Sequence, residues 1–231
     1  WGVVNKLIVD GDYAYLSCGT DGLRIISIVN PSIPLEISVL NTLGEANGIT
    51  KFENLIILGE INPSRCCIID VTDPHTPVEI SSIGTPGDTK DIITLSDIVY
   101  VAGGFWGIDI FDLSDPVHPV TIQHGITRND TYDLAILGNL LIAANGSKGL
   151  QILDISTPTN PQIIGEYETE GIALKVAINE QVVYLADDND DLKVFDITVP
   201  SQPDQIGTYE TGIRFSSLAA TDNYAYLLSS S

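Results

Sequence analysis

The chain has 231 residues, 44% of them apolar, with ten Lys and Arg against 31 Asp and Glu for a formal charge of −21. Such a surface repels nucleic acid, whose binding needs cations to displace counterions from phosphate, and it repels anionic membranes equally. No apolar run of about 18 residues is present, so no bilayer-spanning helix is expected.

Read in chain order, the sequence is periodic. The first strand-like phrases are Lys6–Val9 and Tyr13-Ala14-Tyr15-Leu16, followed by Gly22–Ile28 and a turn holding Pro31 and Pro34. That turn returns at Pro74/Pro77, Pro116/Pro119, Pro158/Pro161 and Pro200/Pro203, with first prolines spaced 43, 42, 42 and 42 residues apart. Ten of the twelve prolines fall in this P-x-x-P turn, which makes it a structural corner. A second column, Tyr15, Ile57, Tyr100, Ile142, Tyr184 and Tyr226, repeats six times in the same phase. Repeats therefore fall at about 5–46, 47–88, 89–130, 131–171 and 172–212, with a partial one at 213–231.

Each repeat reads as four short strands. In the fourth these are Leu134–Leu137, Leu140–Ala144, Leu150–Ile155 and Gln162–Tyr167, separated by Gly-, Asn-, Asp- and Pro-rich turns. The second strand is apolar on both sides, so both faces of its sheet should be covered. Four-stranded sheets of this length, each covering the next, make an all-β chain of β-propeller blades: five full repeats and a half. A linear solenoid usually has shorter repeats. The lack of methionine and the close at Ser229-Ser230-Ser231 in mid-repeat suggest a stretch of a longer chain, completing a ring of six to eight blades.

The phrase Leu150-Gln151-Ile152-Leu153-Asp154-Ile155-Ser156, followed by Pro158 and Pro161, resembles the LVIVD repeat. Gly107 to Pro119 and Asp191 to Pro203 fit the same pattern, and Tyr13–Leu16 and Tyr224–Leu227 fit the strand before it. Ser27 departs where other repeats carry Asp70, Asp112, Asp154 and Asp196, and Cys66-Cys67 departs in the second repeat. The resemblance implies a β-propeller, typically exported or at a cell surface, and implies no activity.

The repeated Asp precedes Thr or Ser by two residues (Thr72, Ser114, Ser156, Thr198), as a turn-capping acceptor does. Four equivalent acids do not make a catalytic set. The variable hairpins between second and third strands are Ser17–Gly22, Glu60–Arg65, Gly103–Gly107, Asn145–Gly149 and Asp187–Asp191, and loops are where binding residues sit. Among them only Gly103-Gly104-Phe105-Trp106-Gly107 carries adjacent aromatics. Phe105 and Trp106 either stack on a sugar or anchor a protein partner, or tuck between blades as filler.

Two cation sites come into view. Asp91 and Asp133 stand in one column with Lys6, Gly48, Lys175 and Ser217, and a shared cation or a lysine would balance them. Asp187, Asp188, Asp190 and Asp191 form the densest acidic loop, where Ca2+ would find oxygen ligands, although EF-hand spacing is absent. The alternative is a solvated turn. His75, His118 and His124 do not converge by repeat geometry, and no G-x-S-x-G elbow, P-loop or H-E-x-x-H occurs.

Cys18, Cys66 and Cys67 allow one cross-blade disulfide, a vicinal one, or burial as small hydrophobes. Sequons at Asn129 and Asn145 lie in expected turns, where glycans are predicted if the source makes them. The reading is a non-enzymatic extracellular or cell-surface propeller, with no cofactor unless it is Ca2+. It binds a protein or glycan, or self-assembles, without nucleic acid and without membrane insertion. One alternative is an enzyme or ligand-binding propeller with a cation-assisted site at Asp91 and Asp133. Another is a structural subunit of a filament or surface layer.

Overall fold

The computed structural model describes residues 2–127, 129–189, 191–210, 212, 215–222 and 224–229. All regular structure among them is β. The first sheet runs β1 (Lys6–Asp10), β2 (Tyr13–Ser17), β3 (Leu23–Ser27), β4 (Leu35–Leu40). The second is β5 (Glu45–Phe52), β6 (Leu55–Ile61), β7 (Arg65–Asp70), β8 (Val78–Gly84). The third is β9 (Asp91–Leu95), β10 (Ile98–Ala102), β11 (Ile108–Asp112), β12 (Val120–Gln123). The fourth is β13 (Asp133–Leu137), β14 (Leu140–Ala144), β15 (Leu150–Asp154), β16 (Gln162–Tyr167). The fifth is β17 (Ala173–Asn179), β18 (Val182–Asp187), β19 (Asp191–Asp196), β20 (Asp204–Glu210). A two-stranded sixth sheet has β21 (Phe215–Thr221) and β22 (Tyr224–Ser229).

Each four-stranded sheet is an antiparallel meander in chain order. The strands expected in the fourth repeat are β13 to β16, displaced by one residue at two ends. Every third-to-fourth strand pairing carries one register shift at an equivalent place, such as Ile25/Ile26, Ile68/Ile69 and Ile152/Leu153. A repeated bulge of this kind bends each sheet by the same amount.

The chain divides into two compact units, Trp1–Gly103 with Asp109–His124, and Gly104–Ile108 with Gly125–Ser231, so the hairpin between β10 and β11 belongs to the second. In the first unit the Tyr15 face of the first sheet packs on Ile49, Ile56 and Leu58 of the second. Ile57 and Ile68, on the opposite face of that second sheet, pack on Ile92 and Val101 of the third. In the second unit Ile142 and Ile152 pack on Val176 and Leu185. Central strands are thus apolar on both faces because both are covered, as β10 (Ile98–Ala102, buried throughout) shows.

The repeated acids cap turns. Asp70 accepts from the Thr72 amide and hydroxyl at 2.8 and 2.6 Å, Asp112 from the Ser114 amide at 2.7 Å, and Asp154 from the Ser156 amide at 2.8 Å. Asp196 repeats the pattern with Thr198 at 2.7 and 2.6 Å. These bonds hold the carboxyls of Asp70, Asp154 and Asp196 below the ordinary range. The P-x-x-P corner also joins neighbours: Ser38 and Ser81 donate to the carbonyls of Pro74 and Pro116, at 2.6 and 2.5 Å.

The cysteines correct one expectation: all three are free, buried thiols. Cys66 and Cys67 are successive strand residues and so point to opposite faces. Cys66 lies in the core facing the third sheet, Cys67 in the core facing the first, and Cys18 in a separate cluster with Ala14 and Leu16. No pairing among them fits this packing. Burial pushes all three thiols up, Cys66 to about 12.

Candidate functional site

The hairpin between β10 and β11 is the candidate site. Gly104 and Gly107 adopt φ of 57° and 80°, and the Gly107 amide donates to the Gly104 carbonyl at 2.9 Å, closing a tight turn. Gly104 and Thr131 exchange backbone bonds of 3.0 Å, so the tip is tied down outside its own hairpin. Equivalent bridges join Gly19 to Ala46 and Gly146 to Ala173. Three hairpins therefore share one anchored scaffold and differ in the two residues presented at the tip: Thr20-Asp21, Phe105-Trp106 and Ser147-Lys148.

Phe105 is 78% and Trp106 52% exposed. They do not fill a gap between blades; their rings meet edge to face at 6.0 Å and 85°, offering two apolar surfaces to solvent. The other tips are charged or polar and paired locally. Asp21 bonds the Gly2 amide and Arg24, at 2.6 and 2.8 Å, and Lys148 pairs with Glu168 at 2.6 Å.

The acids of both expected cation sites are engaged by lysines and backbone amides. Buried Asp91 is ion-paired with Lys6 of β1. Asp133 accepts from the Val176 amide at 2.9 Å and lies 3.7 Å from the Lys175 Nζ. Each acid thus has a lysine of its own, the balancing alternative. In the acidic loop, buried Asp187 accepts from Lys193 Nζ at 2.6 Å and from the amides of Asn189 and Asp191 at 3.1 and 3.3 Å. Asp191 lies 3.3 Å from the same Lys193 Nζ. Asp188 caps the Ile172 amide at 2.6 Å. Asp190 lies outside the described residues. Among the described residues no group of three or more His, Cys, Asp or Glu side chains is placed to hold a metal ion.

The sequons separate. Asn145 is fully buried; its Nδ2 donates to Gln151 Oε1 and its Oδ1 accepts from Thr131 Oγ1 at 2.8 Å. No glycan fits there, which corrects that expectation. Asn129, half-buried, donates to the Asn145 carbonyl at 2.8 Å.

The structure also shows a feature not singled out in the sequence. Each four-stranded sheet has a largely buried residue at the base of its variable hairpin or one strand position along, usually in an ion pair. The ion pairs are Arg24–Glu36 at 2.5 Å, Glu60–Arg65 at 2.5 Å and Asp187–Lys193 at 2.6 Å; Asp109 shares a hydrogen bond of 2.9 Å with His124 Nδ1, and Asn145–Gln151 is the neutral counterpart. Their signal was present as polar residues at one phase of an apolar strand, and they fix the hairpins from below.

The LVIVD repeat family model matches residues 2–42, 86–124, 129–169 and 170–211, more than half of the chain. The chain belongs to the LVIVD repeat family. No curated protein matches it. Solved structures resemble this LVIVD-repeat chain at low identity. The computationally designed Ika8 protein aligns at 12% identity and a TM-score of 0.77, over 97% of this chain and 67% of its own. A functionally unknown protein from Desulfotomaculum acetoxidans gives 12%, 0.79, 92% and 71%. The β-propeller domain of Myceliophteria thermophila Cps50 (Swd1) gives 12%, 0.79, 99% and 80%. At such identities the likeness shows the β-propeller fold alone. No helix among the described residues is long and apolar enough to cross a membrane.

Proposed function

We propose that this LVIVD-repeat propeller is a non-enzymatic binding module of the cell surface or extracellular space. It engages a glycan or a protein through Phe105 and Trp106. The observation that carries the reading is an exposed aromatic pair on a hairpin anchored at its glycines. A fixed aromatic surface binds at small entropic cost, and aromatic anchors dominate contact energies in recognition. Neighbouring hairpins on the same scaffold carry self-paired polar tips, so the aromatic tip is not a demand of the fold. The acids of the cation-assisted alternative are held by lysines, which leaves that reading without an assembled constellation.

The test is a glycan array and a cross-linking capture, each run with the native chain and with Phe105→Ala/Trp106→Ala. Binding retained by the native chain and weakened at least about tenfold in the double variant is the expected outcome, since each aromatic anchor is worth about 1 kcal/mol or more. A ligand bound equally by both proteins would overturn the assignment of this hairpin.

A further inference from the structure

The tip of the aromatic hairpin shares a compact unit with residues 125–231. Gly104–Ile108 carries no charge, and from residue 125 onward there are 15 Asp and Glu against five Lys and Arg, a formal −10. Lys148, Lys175 and Lys193, the described cations of this unit, each face an acid: Glu168 at 2.6 Å, Asp133 at 3.7 Å and Asp187 at 2.6 Å. The tip therefore sits in a negative field.

Local pairing brings one acid to the aromatic residues. Gly104 and Thr131 are antiparallel partners that exchange both backbone bonds, so Phe105 and Asp130 are the next residues outward from that pair. On its other side Asp130 borders the following hairpin, where a Cβ on Gly146 would lie 3.0 Å from the Asp130 Cβ. The Tyr132 hydroxyl donates to Asp130 Oδ2 at 3.5 Å, and among the described residues no cation pairs with Asp130. Burial pushes the Tyr132 phenol up, and the charges of Asp130 and Asp188 push it the same way, so two carboxylates bear on this strip. The tip itself is held on both flanks. Thr131 fixes one; on the other, Ile126 donates to the Ile108 carbonyl at 3.0 Å and Gly125 lies against the Trp106 carbonyl.

We propose that the occupant of this tip is a basic protein segment, with an arginine side chain of the partner laid over the Phe105 and Trp106 rings and bonded to Asp130. The inference rests on the reading of this hairpin as the binding site and narrows its ligand. Charge complementarity selects the occupant. Aromatic faces attract cations, arginine most often, and a carboxylate without a cation stands beside them. A planar guanidinium stacks on a ring while its N–H groups reach a carboxylate, which a lysine ammonium does less well. The surrounding negative field steers a basic segment to the tip and turns acidic partners away. A neutral sugar draws nothing from that field.

The test titrates the full chain with two capped peptides, one of three arginines alternating with glycine and one with lysine in place of arginine. Isothermal titration calorimetry gives the affinities. With Trp1→Phe, Trp106 is the sole tryptophan and its emission reports where the peptide lands. The arginine peptide is expected to bind, to change Trp106 emission, and to weaken as salt is added. The lysine peptide, equal in charge, should bind about threefold or more less tightly. Phe105→Ala/Trp106→Ala, which removes no charge, and Asp130→Asn should each weaken the arginine peptide at least about fivefold. Circular dichroism matched to the unsubstituted chain establishes that each variant is folded. Arginine-peptide binding that survives the double aromatic substitution would be held by net charge alone and would overturn the proposal. So would equal affinity for the two peptides, or no binding of either. If methyl glucoside or an arrayed glycan binds and is lost in the double variant while the arginine peptide does not bind, the hairpin stands as a binding site and the basic partner does not.

Discussion

The second and fourth sheets share four strands, one strand order and one bulge, yet they finish their central hairpins differently. In the fourth, Ala144 pairs with Leu150 and the chain turns through Asn145–Gly149. In the second, the ladder extends one further pair, Glu60 to Arg65, beyond Gly59–Cys66. The fourth sheet needs glycine where the turn re-enters the strand, because Gly149 sits at φ 70° and a Cβ there would lie 2.3 Å from the Tyr167 carbonyl. The second sheet carries one more residue in its hairpin, puts Arg65 inside the strand, and holds the turn by charge. Arg65 donates to buried Glu60 at 2.5 Å and to Glu79 at 2.8 Å, and Glu60 also accepts from the Gly44 amide at 3.2 Å. One fold position is thus maintained by steric fit in one sheet and by an ion-pair network in the other. The family model matches the fourth sheet and passes over residues 43–85.

The largest effect should come from breaking the network. Arg65→Ala leaves the Glu60 carboxylate fully buried with its guanidinium gone. Removing one partner of a buried pair costs about 3–5 kcal/mol, a large part of a domain's stability. Urea unfolding should show the loss. A change below about 1 kcal/mol would mean that Glu60 is solvated or protonated at no expense, and the comparison would fail.

The steric counterpart in the fourth sheet comes next. Gly149→Ala adds backbone strain at positive φ and drives a methyl group into a carbonyl, together about 2–4 kcal/mol. Thermal unfolding of this variant, beside Gly138→Ala as a control, separates the two terms. Gly138 also has positive φ, 56°, but a Cβ there meets nothing within 4 Å, so its variant should show the strain term alone.

How far this contrast could be read in advance depends on the residue. The repeat, the strands and the capping acids are local features, and period and turn chemistry expose them. The extra residue of the second hairpin was visible as the 43-residue step between Pro31 and Pro74 among steps of 42. Partners distant in sequence were legible only where the repeat placed them in one column: Lys6 and Asp91 share the column in which a lysine was the alternative to a cation, and they meet across 85 positions. Asn145 carries the same tripeptide signal as Asn129, but its burial depends on Thr131 and Gln151, which the motif does not include. Trp106 in sequence suits a core and a surface alike; its exposure follows from the bridge that fixes Gly104 to Thr131.

The smallest effect separates the two sheets by pH rather than by mutation alone. At the first residue shared by the two third strands, the fourth sheet has Leu150 and the second has Cys66. Burial raises the Cys66 thiol from 9.0 to about 12, so the folded chain keeps it protonated where the unfolded chain ionises it. The sign follows: this stabilisation of the folded state by the neutral thiol is complete below pH 9 and is lost as pH rises from there towards 12, with no effect in acid. The slope for one proton is about 1.4 kcal/mol per pH unit, giving roughly 1 kcal/mol by pH 10. Tyr100, buried and also raised to about 12, adds to the same limb only above the ordinary tyrosine value of 10.0. Cys66→Ala should therefore lower stability at pH 7 through lost packing, yet flatten the decline between pH 8.5 and 10, when both proteins are unfolded in urea across that range. Parallel declines in the two would show that Cys66 is ionised as readily in the folded chain as in the unfolded one.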